Sequence, residues 1–226
     1  MILTAENAAR TFPRVRAGAN YFYAVHPVNL EILPGTVTVL MGRSGSGKTT
    51  LLNLLSGLLA PSEGKILLDG ADLYALDDAS LSRLRGEKLG VVPQARSAVD
   101  TLTVEENILL PARLLGRPAP AREAARLLEA LEIADLSGAM PRELSGGELR
   151  RMALARALAQ EPEILFADEP TGDLDDESTE KVLSLLRAFA HEKKKAVFMV
   201  THENGAVKIA DRLLRMDAGH CAEAEA

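Results

Sequence analysis

The chain carries the segment G-R-S-G-S-G-K-T at residues 42–49, directly after an apolar run at residues 37–41 and before a helix-forming run at residues 50–58. A strand, a glycine-rich loop and a helix in this order form a P-loop, in which backbone N–H groups turn inward around phosphate oxygens. Glycine is needed in such a loop because side chains would obstruct the phosphates. We therefore predict a phosphate site at residues 42–49.

The individual residues of this loop suit different parts of a nucleoside triphosphate and its metal ion. Lys48 would place a compact positive charge on the β- and γ-phosphates, and Thr49 would offer its hydroxyl to Mg²⁺, which prefers oxygen ligands. The helix that follows presents the positive end of its dipole to the anion. The predicted nucleotide ligands of this segment are Gly42, Arg43, Ser44, Gly45, Ser46, Gly47, Lys48, Thr49 and Thr50.

Two adjacent carboxylates follow another apolar run, at residues 164–167. A buried strand that ends in Asp168 and Glu169 would place both side chains at the carboxyl edge of the sheet, where open α/β folds bind their ligands. Asp168 is suited to bind Mg²⁺, and Glu169 is suited to polarise the water that attacks the terminal phosphate. With a P-loop upstream, this interpretation is favoured over a pair of helix-capping acids.

Composition limits the classes of protein that this chain can form. Of its 226 residues 47% are hydrophobic, and the formal net charge of −6 argues against general nucleic-acid binding, which needs a basic footprint. The single cysteine, Cys221, cannot form an internal disulfide, and the N-terminus lacks the basic start and apolar block of a signal peptide. No run of about 18 apolar residues occurs, so we expect a cytoplasmic protein.

Strand-like and helix-like segments alternate along the chain. The predicted strands are residues 36–41, 66–68, 89–92, 164–167, 196–201 and 212–216. The predicted helices are residues 48–58, 104–115, 122–131, 147–160 and 178–191. This alternation predicts an α/β fold with a mostly parallel sheet.

The middle of the sequence departs from this alternation. From residue 94 to residue 159 helical patterns dominate and strand-like runs are missing, which predicts a helical subdomain inserted into the α/β core. The polar and aromatic segment at residues 11–24 is typical of an early β-hairpin or loop, and we expect an antiparallel, β-rich N-terminal part. We expect one domain over residues 1–226, with its core at residues 1–93 and 160–226 and the helical subdomain at residues 94–159.

A second glycine motif, L-S-G-G-E at residues 144–148, resembles the signature motif of ABC ATPases. A serine and two glycines before a helix form another anion-binding N-terminus. Because one nucleotide already has a cradle at residues 42–49, a second cradle is most useful to a nucleotide that another subunit holds. The alternative is a plain helix cap, and the two interpretations are compatible. The residues predicted to contact the partner's nucleotide are Ser145, Gly146, Gly147 and Glu148.

Further segments resemble the same family in their order and spacing. Gln94 resembles the Q-loop glutamine, which contacts Mg²⁺ and the attacking water, and His202 resembles the switch histidine that contacts the γ-phosphate. The segment T-G-D-L-D at residues 171–175 resembles the D-loop, which meets the partner subunit, and Asp175 is expected near the nucleotide. The resemblance implies catalytic roles for Glu169, His202 and Gln94, and Mg²⁺ ligation by Thr49, Gln94 and Asp168.

The aromatic residue that stacks on adenine is not determined by the sequence. Phe12 is the first candidate, and Tyr21 and Tyr23 compete with it because spacing alone does not choose among the three. For any one of them, packing within a hairpin is an equally good explanation.

The resemblance covers essentially the whole chain and implies the fold of an ABC-type P-loop ATPase that powers a transporter. Two copies would pack head to tail around ATP, and an integral membrane permease would dock near Gln94 and the helical subdomain, at the inner face of the cell membrane. The segments L-L-N-L-L-S-G-L, T-V-E-E-N-I-L-L-P and A-D-E-P-T-G are similar to the branch that serves lipoprotein release, macrolide and antimicrobial-peptide export, and cell division. Leu149, Asp173 and Pro93 depart from the common pattern of that branch.

Alternative functions are less favoured by the same residues. An ABC-type ATPase that acts on nucleic acid or ribosomes usually carries two ATPase units or a long coiled-coil insert, and this sequence has neither. A regulatory module without hydrolysis is disfavoured by the presence of Glu169 and His202, and a GTPase by the absence of an N-K-x-D segment. A non-transport role in cell division or in regulating a membrane complex is the remaining alternative.

Overall fold

The computed structural model describes residues 1–14 and 21–224. The described residues form two sheets, one of four strands and one of six. In chain order the strands are β1 Leu3–Pro13, β2 Tyr21–Ile32, β3 Val37–Gly42, β4 Glu63–Leu68, β5 Ala71–Asp72, β6 Leu89–Val92, β7 Ile164–Asp168, β8 Ala196–Thr201, β9 Arg212–Asp217 and β10 His220–Glu223.

The six-stranded sheet has the order β10-β9-β3-β8-β7-β6 and is parallel except for the terminal hairpin of β9 and β10. Every residue of β7 and of β8 is buried, as expected for parallel strands that are covered on both faces. Because these strands are parallel, the residues that follow β3, β7 and β8 meet at one edge of the sheet. This edge receives the P-loop, the acidic pair and the residue after Thr201.

The four-stranded sheet has the order β2-β1-β4-β5 and is antiparallel throughout. The hairpin or loop predicted at residues 11–24 lies partly outside the described residues, which omit residues 15–20. Its described flanks pair antiparallel, with Thr11 opposite Tyr23 and Phe12 opposite Phe22. The expected antiparallel, β-rich N-terminal part is therefore observed.

Six α-helices occur among the described residues: α1 Lys48–Leu55, α2 Asp78–Lys88, α3 Val104–Leu114, α4 Ala121–Ala130, α5 Gly146–Leu158 and α6 Asp176–His191. Helices α3, α4 and α5 lie between β6 and β7, and residues 94–159 contain no strand. The predicted fold class, a mostly parallel core with an inserted helical part, is confirmed. None of the helices in the described ranges is long and apolar enough to cross a bilayer.

The core consists of two apolar clusters on opposite faces of the six-stranded sheet. Alternate residues of β8 enter different clusters: Val197 packs with α3, α4, α5 and α6, and Phe198 packs with α1 and the antiparallel sheet. This period of two is the ordinary alternation of side chains along a strand. Both faces of the sheet are thus covered, which leaves its carboxyl edge as the exposed place for a site.

One predicted bound needs correction, and the elements α2, β5 and β10 were not predicted. Helix α1 ends at Leu55 and not at residue 58, because Gly57 adopts a left-handed φ of 75° that α-helical residues do not have. Helix α2 was not predicted, since Leu81 is its one buried residue and its sequence carries no apolar stripe. The remaining predicted helices and strands occur with bounds that differ by a few residues.

Candidate active site

The P-loop connects the end of β3 to the first residue of α1. Gly47, immediately before the helix, has a φ of 107°, a value that residues with a side chain rarely adopt. A Cβ atom at Gly47 would lie 2.1 Å from the carbonyl oxygen of Ala24 on β2. The loop therefore packs against β2 so closely that only glycine fits at this position.

Lys48 is 8% exposed, and its ammonium group lies inside the loop. Its Nζ donates hydrogen bonds to the carbonyl oxygens of Gly42, at 2.8 Å, and Arg43, at 3.0 Å. An ammonium group has three donors, so it can bind a phosphate oxygen in addition to these two carbonyls. The loop thus holds the charge of Lys48 in a defined position at its mouth.

Thr49 and Asp168 bring a hydroxyl and a carboxylate together. Thr49 Oγ1 donates a 2.7 Å hydrogen bond to Asp168 Oδ2, which links the first turn of α1 to the end of β7. Asp168 is 2% exposed, and burial raises its carboxyl pKa, an effect that the bond from Thr49 opposes. Two hard oxygen ligands at one point suit Mg²⁺.

Glu169 and His202 form the second polar pair of this edge. Glu169 Oε1 lies 2.9 Å from His202 Nδ1, and this hydrogen bond raises the pKa of the imidazole. Glu169 has a φ of 51°, and its backbone N–H donates to the carbonyl oxygen of Val200 at 2.8 Å. Its other carboxylate oxygen, Oε2, is buried and has no hydrogen-bond partner within residues 1–14 and 21–224. A buried acceptor of this kind is suited to hold a water molecule.

These groups line a single open cleft with a volume of about 1080 Å³. The predicted residues that the cleft brings together are Phe12, Arg43, Ser44, Gly45, Ser46, Gly47, Lys48, Thr49, Thr50, Gln94, Asp168, Glu169 and His202. The cleft has a charged end at the P-loop and an aromatic end at β1 and β2. These two ends suit the phosphates and the base of a nucleoside triphosphate.

The aromatic end narrows the choice that the sequence left open. Phe12 and Tyr23 line the cleft, whereas Tyr21 is not among its lining residues and is 65% exposed. The guanidinium of Arg10 lies 4.9 Å from the centre of the Phe12 ring, and the Tyr23 hydroxyl donates to Glu63 at 2.9 Å. Phe12 and Tyr23 therefore remain the two candidates for the adenine platform.

The serine-glycine motif at residues 144–148 does not reach this cleft. The backbone N–H of Glu148 donates to Ser145 Oγ at 3.3 Å, and the backbone N–H of Ser145 donates to Glu148 Oε2 at 2.7 Å. This reciprocal capping box opens α5, and it lowers the pKa of Glu148. Ser145, Gly146, Gly147 and Glu148 are not among the residues that line the cleft of their own chain.

Asp175 also lies outside the cleft, at the start of α6. Its Oδ1 accepts a 2.8 Å hydrogen bond from the backbone N–H of Ser178, which makes it the N-cap of this helix. Gly146 and Asp173 instead line a smaller depression of about 160 Å³ together with Pro93 and Gln94. Gln94 thus lies between the nucleotide cleft and the first turn of α5.

Several residues of the cleft were not predicted from the sequence. They are Arg14, Phe22, Ala24, His26, Ala218 and Gly219. Ala218 and Gly219 form the turn between β9 and β10, far from the P-loop in sequence, and their residue types carry no signal of a nucleotide site. The pairing of β1 with β2, and of β9 with β3, brings this set to the cleft.

Comparisons with known proteins agree with this geometry. A family model described as ABC transporter matches residues 25–172. An uncharacterized ABC transporter ATP-binding protein of Methanocaldococcus jannaschii is 38% identical over 95% of this chain and 92% of that protein. A macrolide export ATP-binding/permease protein of Brucella abortus is 41% identical over 86% of this chain and 30% of that protein. A methionine import ATP-binding protein of Rhizobium meliloti is 39% identical over 95% of this chain.

A solved structure shows how close the fold is. It has a TM-score of 0.91 at 34% sequence identity and covers 99% of this chain and 98% of the solved chain. It is described as a dimeric, post-hydrolysis state of the Methanocaldococcus ATP-binding cassette bound to ADP and Pi. The chain spans 60% of the length of the mycobacterial and rhizobial relatives that it matches.

Proposed function

The chain belongs to the ABC transporter family, and from this premise we propose that it binds and hydrolyses ATP to drive a membrane-embedded partner. One observation carries the proposal: a single cleft holds the Lys48 ammonium, the Thr49–Asp168 pair and the Glu169–His202 pair. Phosphoryl transfer needs mainly positioning and neutralisation of charge. These three elements supply a phosphate anchor, a metal site and a water-orienting carboxylate.

The residues present fit Mg²⁺ as a cofactor. Thr49 and Asp168 contribute oxygen ligands at one point, and Gln94, which carries an amide oxygen, lines the same cleft. These three side chains would hold the ion. Bound there, Mg²⁺ would neutralise charge on the β- and γ-phosphate oxygens.

The remaining side chains act on the triphosphate and on water. Lys48 and the backbone N–H groups of the P-loop bind phosphate oxygens, and Phe12 stacks on the base. Glu169 Oε2 accepts a hydrogen bond from the attacking water and orients it. His202, held through its Nδ1 by Glu169 Oε1, keeps its Nε2 free for the γ-phosphate.

A second copy of the chain completes the site in this proposal. Ser145, Gly146, Gly147 and Glu148 begin α5 with the N–H groups of its first turn, outside their own nucleotide cleft. A helix N-terminus binds anions, so this motif would close over the triphosphate of the partner copy, with Asp175 nearby. The capping box uses the N–H groups of Ser145 and Glu148, so the N–H groups of Gly146 and Gly147 are the donors that this proposal assigns to the partner's phosphates.

The partner outside the dimer would be an integral membrane permease. Pro93 and Gln94 lead from the cleft into the helical part at residues 94–159, which we propose as the docking surface and as a subdomain that moves with the nucleotide state. Docking there would place the chain at the cytoplasmic face of the cell membrane. An exporter of the lipoprotein or peptide type fits the sequence branch, and a non-transport role in a membrane complex is the alternative.

Phosphate release by the purified chain tests this proposal. ATP with Mg²⁺ should be hydrolysed, ATP with EDTA should not, and the specific activity should rise with protein concentration because two copies form each site. Hydrolysis that needs no metal would contradict the Thr49–Asp168 site. Specific activity that stays constant down to the lowest measurable concentration would contradict the shared site.

A further inference from the structure

The turn between β9 and β10 touches the P-loop directly. Asp217 and His220 pair across the hairpin, and the two turn residues, Ala218 and Gly219, have φ values of 44° and 85°. The backbone N–H of Gly219 donates a 2.9 Å hydrogen bond to the carbonyl oxygen of Ser46. Gly219 itself is buried, so this contact is part of the packed structure and not a surface encounter.

The bond to Ser46 controls the direction of a neighbouring donor. In a planar trans peptide the C=O and the next N–H point in opposite directions. The described residues contain no cis peptide bond, so holding the Ser46 carbonyl also holds the Gly47 N–H. That N–H then points to the side of the peptide opposite the turn, and it is one of the backbone donors that the P-loop interpretation assigns to phosphate oxygens.

Strand β2 holds the turn between β9 and β10 in place. The backbone N–H of His26 donates to the carbonyl oxygen of Gly219 at 2.9 Å, and the His26 and His220 rings stack with centroids 3.7 Å apart. The Tyr23 ring also stacks with the His26 ring, with centroids 4.7 Å apart. This stack connects the terminal hairpin to the strand that carries part of the aromatic end of the cleft.

We propose that Gly219 is a positioning residue for nucleotide binding. By holding the Ser46 carbonyl, it fixes the direction in which the Gly47 N–H points. The His26–His220 stack keeps the turn in place. The proposal rests on the proposed function, because it takes the P-loop as the triphosphate site. It assigns part of that site's affinity to a turn that lies outside the P-loop in sequence.

A pair of identical substitutions separates positioning from turn strain. The turn of Asp69 and Gly70, between β4 and β5, has φ values of 48° and 83°, nearly those of the β9–β10 turn. A Cβ atom at Gly70 would have no neighbour within 4 Å. At Gly219 it would lie 3.1 Å from His26 Cδ2 and 3.2 Å from the Ala24 carbonyl oxygen. Gly70→Ala therefore carries the same backbone cost without displacing anything.

Calorimetric titration with ADP and Mg²⁺, together with steady-state ATPase kinetics, is the test. Gly219→Ala should raise the Kd for ADP and the KM for ATP by about threefold to tenfold relative to Gly70→Ala, the worth of one hydrogen bond, with kcat unchanged. Equal affinity of the two variants would overturn this inference alone. A wild-type chain that binds no nucleotide would overturn the proposed function together with it.

A second pair keeps the inference testable if Gly219→Ala does not fold. His220→Ala removes one ring of the stack, whereas His220→Phe retains an aromatic ring in its place. The alanine variant should weaken ADP binding, and the phenylalanine variant should restore it. Equal Kd values for His220→Ala and the wild type would contradict the role of the stack.

Discussion

Glu169 and His202 are 33 positions apart in sequence, yet Oε1 of one lies 2.9 Å from Nδ1 of the other. Each residue directly follows one of two adjacent parallel strands, β7 and β8, in which Asp168 pairs with Val200. Since parallel strands end at the same edge, the pairing brings the carboxylate and the imidazole together. The contact leaves Glu169 Oε2 as a buried acceptor for water.

Replacing that carboxylate should separate binding from hydrolysis. Glu169→Gln keeps the size of the side chain and removes the negative charge that we propose orients the attacking water, so turnover should be abolished while ATP still binds. ATP would then persist between two copies, and gel filtration with ATP and Mg²⁺ should show a dimer. Glu180→Gln, an exposed change on α6, is the control. Normal turnover by Glu169→Gln would rule out this carboxylate as the base.

Stability should depend on pH through His202. Its pKa is raised by the hydrogen bond to Glu169, so the protonated ring stabilises the fold fully below its ordinary pKa of about 6.5. This contribution is lost as pH rises through the higher, folded-state value. The free-energy loss on His202→Ala, measured by urea unfolding, should therefore be larger near pH 6 than near pH 9.

The neighbouring exposed residue provides the comparison for this pH effect. Asn204→Ala changes a side chain that does not titrate, so its effect on the free energy of unfolding should be the same at both pH values. If His202→Ala lowers the free energy of unfolding by the same amount at both pH values, the contact with Glu169 does not stabilise the protonated His202 ring in solution.

Loss of the P-loop ammonium should weaken nucleotide binding. Lys48→Ala removes a charge-assisted hydrogen bond to phosphate, and the Kd for ATP should rise by about tenfold to a hundredfold in calorimetry. Lys65→Ala removes an equal charge from an exposed position on β4 and should leave the Kd unchanged. An unaltered affinity of the Lys48 variant would contradict the assignment of residues 42–49 as the phosphate site.

Base stacking should distinguish the aromatic residues of the cleft. Phe12→Ala should raise the Kd for ATP by about threefold to tenfold, the usual worth of an aromatic pair. Tyr21→Ala should have no effect, because Tyr21 does not line the cleft. A larger rise in the Kd for ATP with Tyr23→Ala than with Phe12→Ala would assign the adenine-stacking residue to β2 and not to β1.

A buried amide should be the main support of the segment between Gln94 and α3. The fully buried Asn107 accepts from the Val99 N–H at 2.8 Å, and its Nδ2, with two N–H donors, lies within 3.1 Å of the carbonyl oxygens of Val99, Leu102 and Thr103. Asn107→Ala should lower the free energy of unfolding by about 1–3 kcal/mol, since it leaves buried groups unpaired. Glu105→Ala, exposed on the same helix, should change it by less than about 0.5 kcal/mol.

Thermal or urea unfolding of both α3 variants measures this difference. If Asn107→Ala unfolds like Glu105→Ala, the hydrogen bonds of the Asn107 amide do not contribute to stability. In a separate measurement, a lower ATPase activity of folded Asn107→Ala than of the wild type would indicate that this segment also positions Gln94.

Much of the candidate site could be predicted from the sequence because its motifs are local. The P-loop needs a strand, glycines and a helix in immediate succession, and the pair Asp168–Glu169 follows a buried strand within a few positions. The capping box of Ser145 and Glu148 likewise spans one helical turn. Each of these conformations depends on backbone geometry within about ten residues.

Contacts between distant segments could not be predicted from the sequence in the same way. The antiparallel register that sets Phe12 and Tyr23 in the cleft and Tyr21 outside it depends on how β1 pairs with β2. Helix α2 was not predicted because Leu81 is its one buried residue, so its sequence lacks the repeating apolar positions of an amphipathic helix. Spacing along the chain carries no information on either point.

By itself, the sequence determined the chemistry of the site: a glycine loop with Lys48 and Thr49, and a strand ending in Asp168 and Glu169. Only the tertiary structure decided that Glu169 meets His202, that Thr49 bonds to Asp168, and that the Gly219 turn holds the Ser46 carbonyl. The physical reason is that short-range motifs follow from local backbone preferences, whereas strand order and register follow from packing of the whole core.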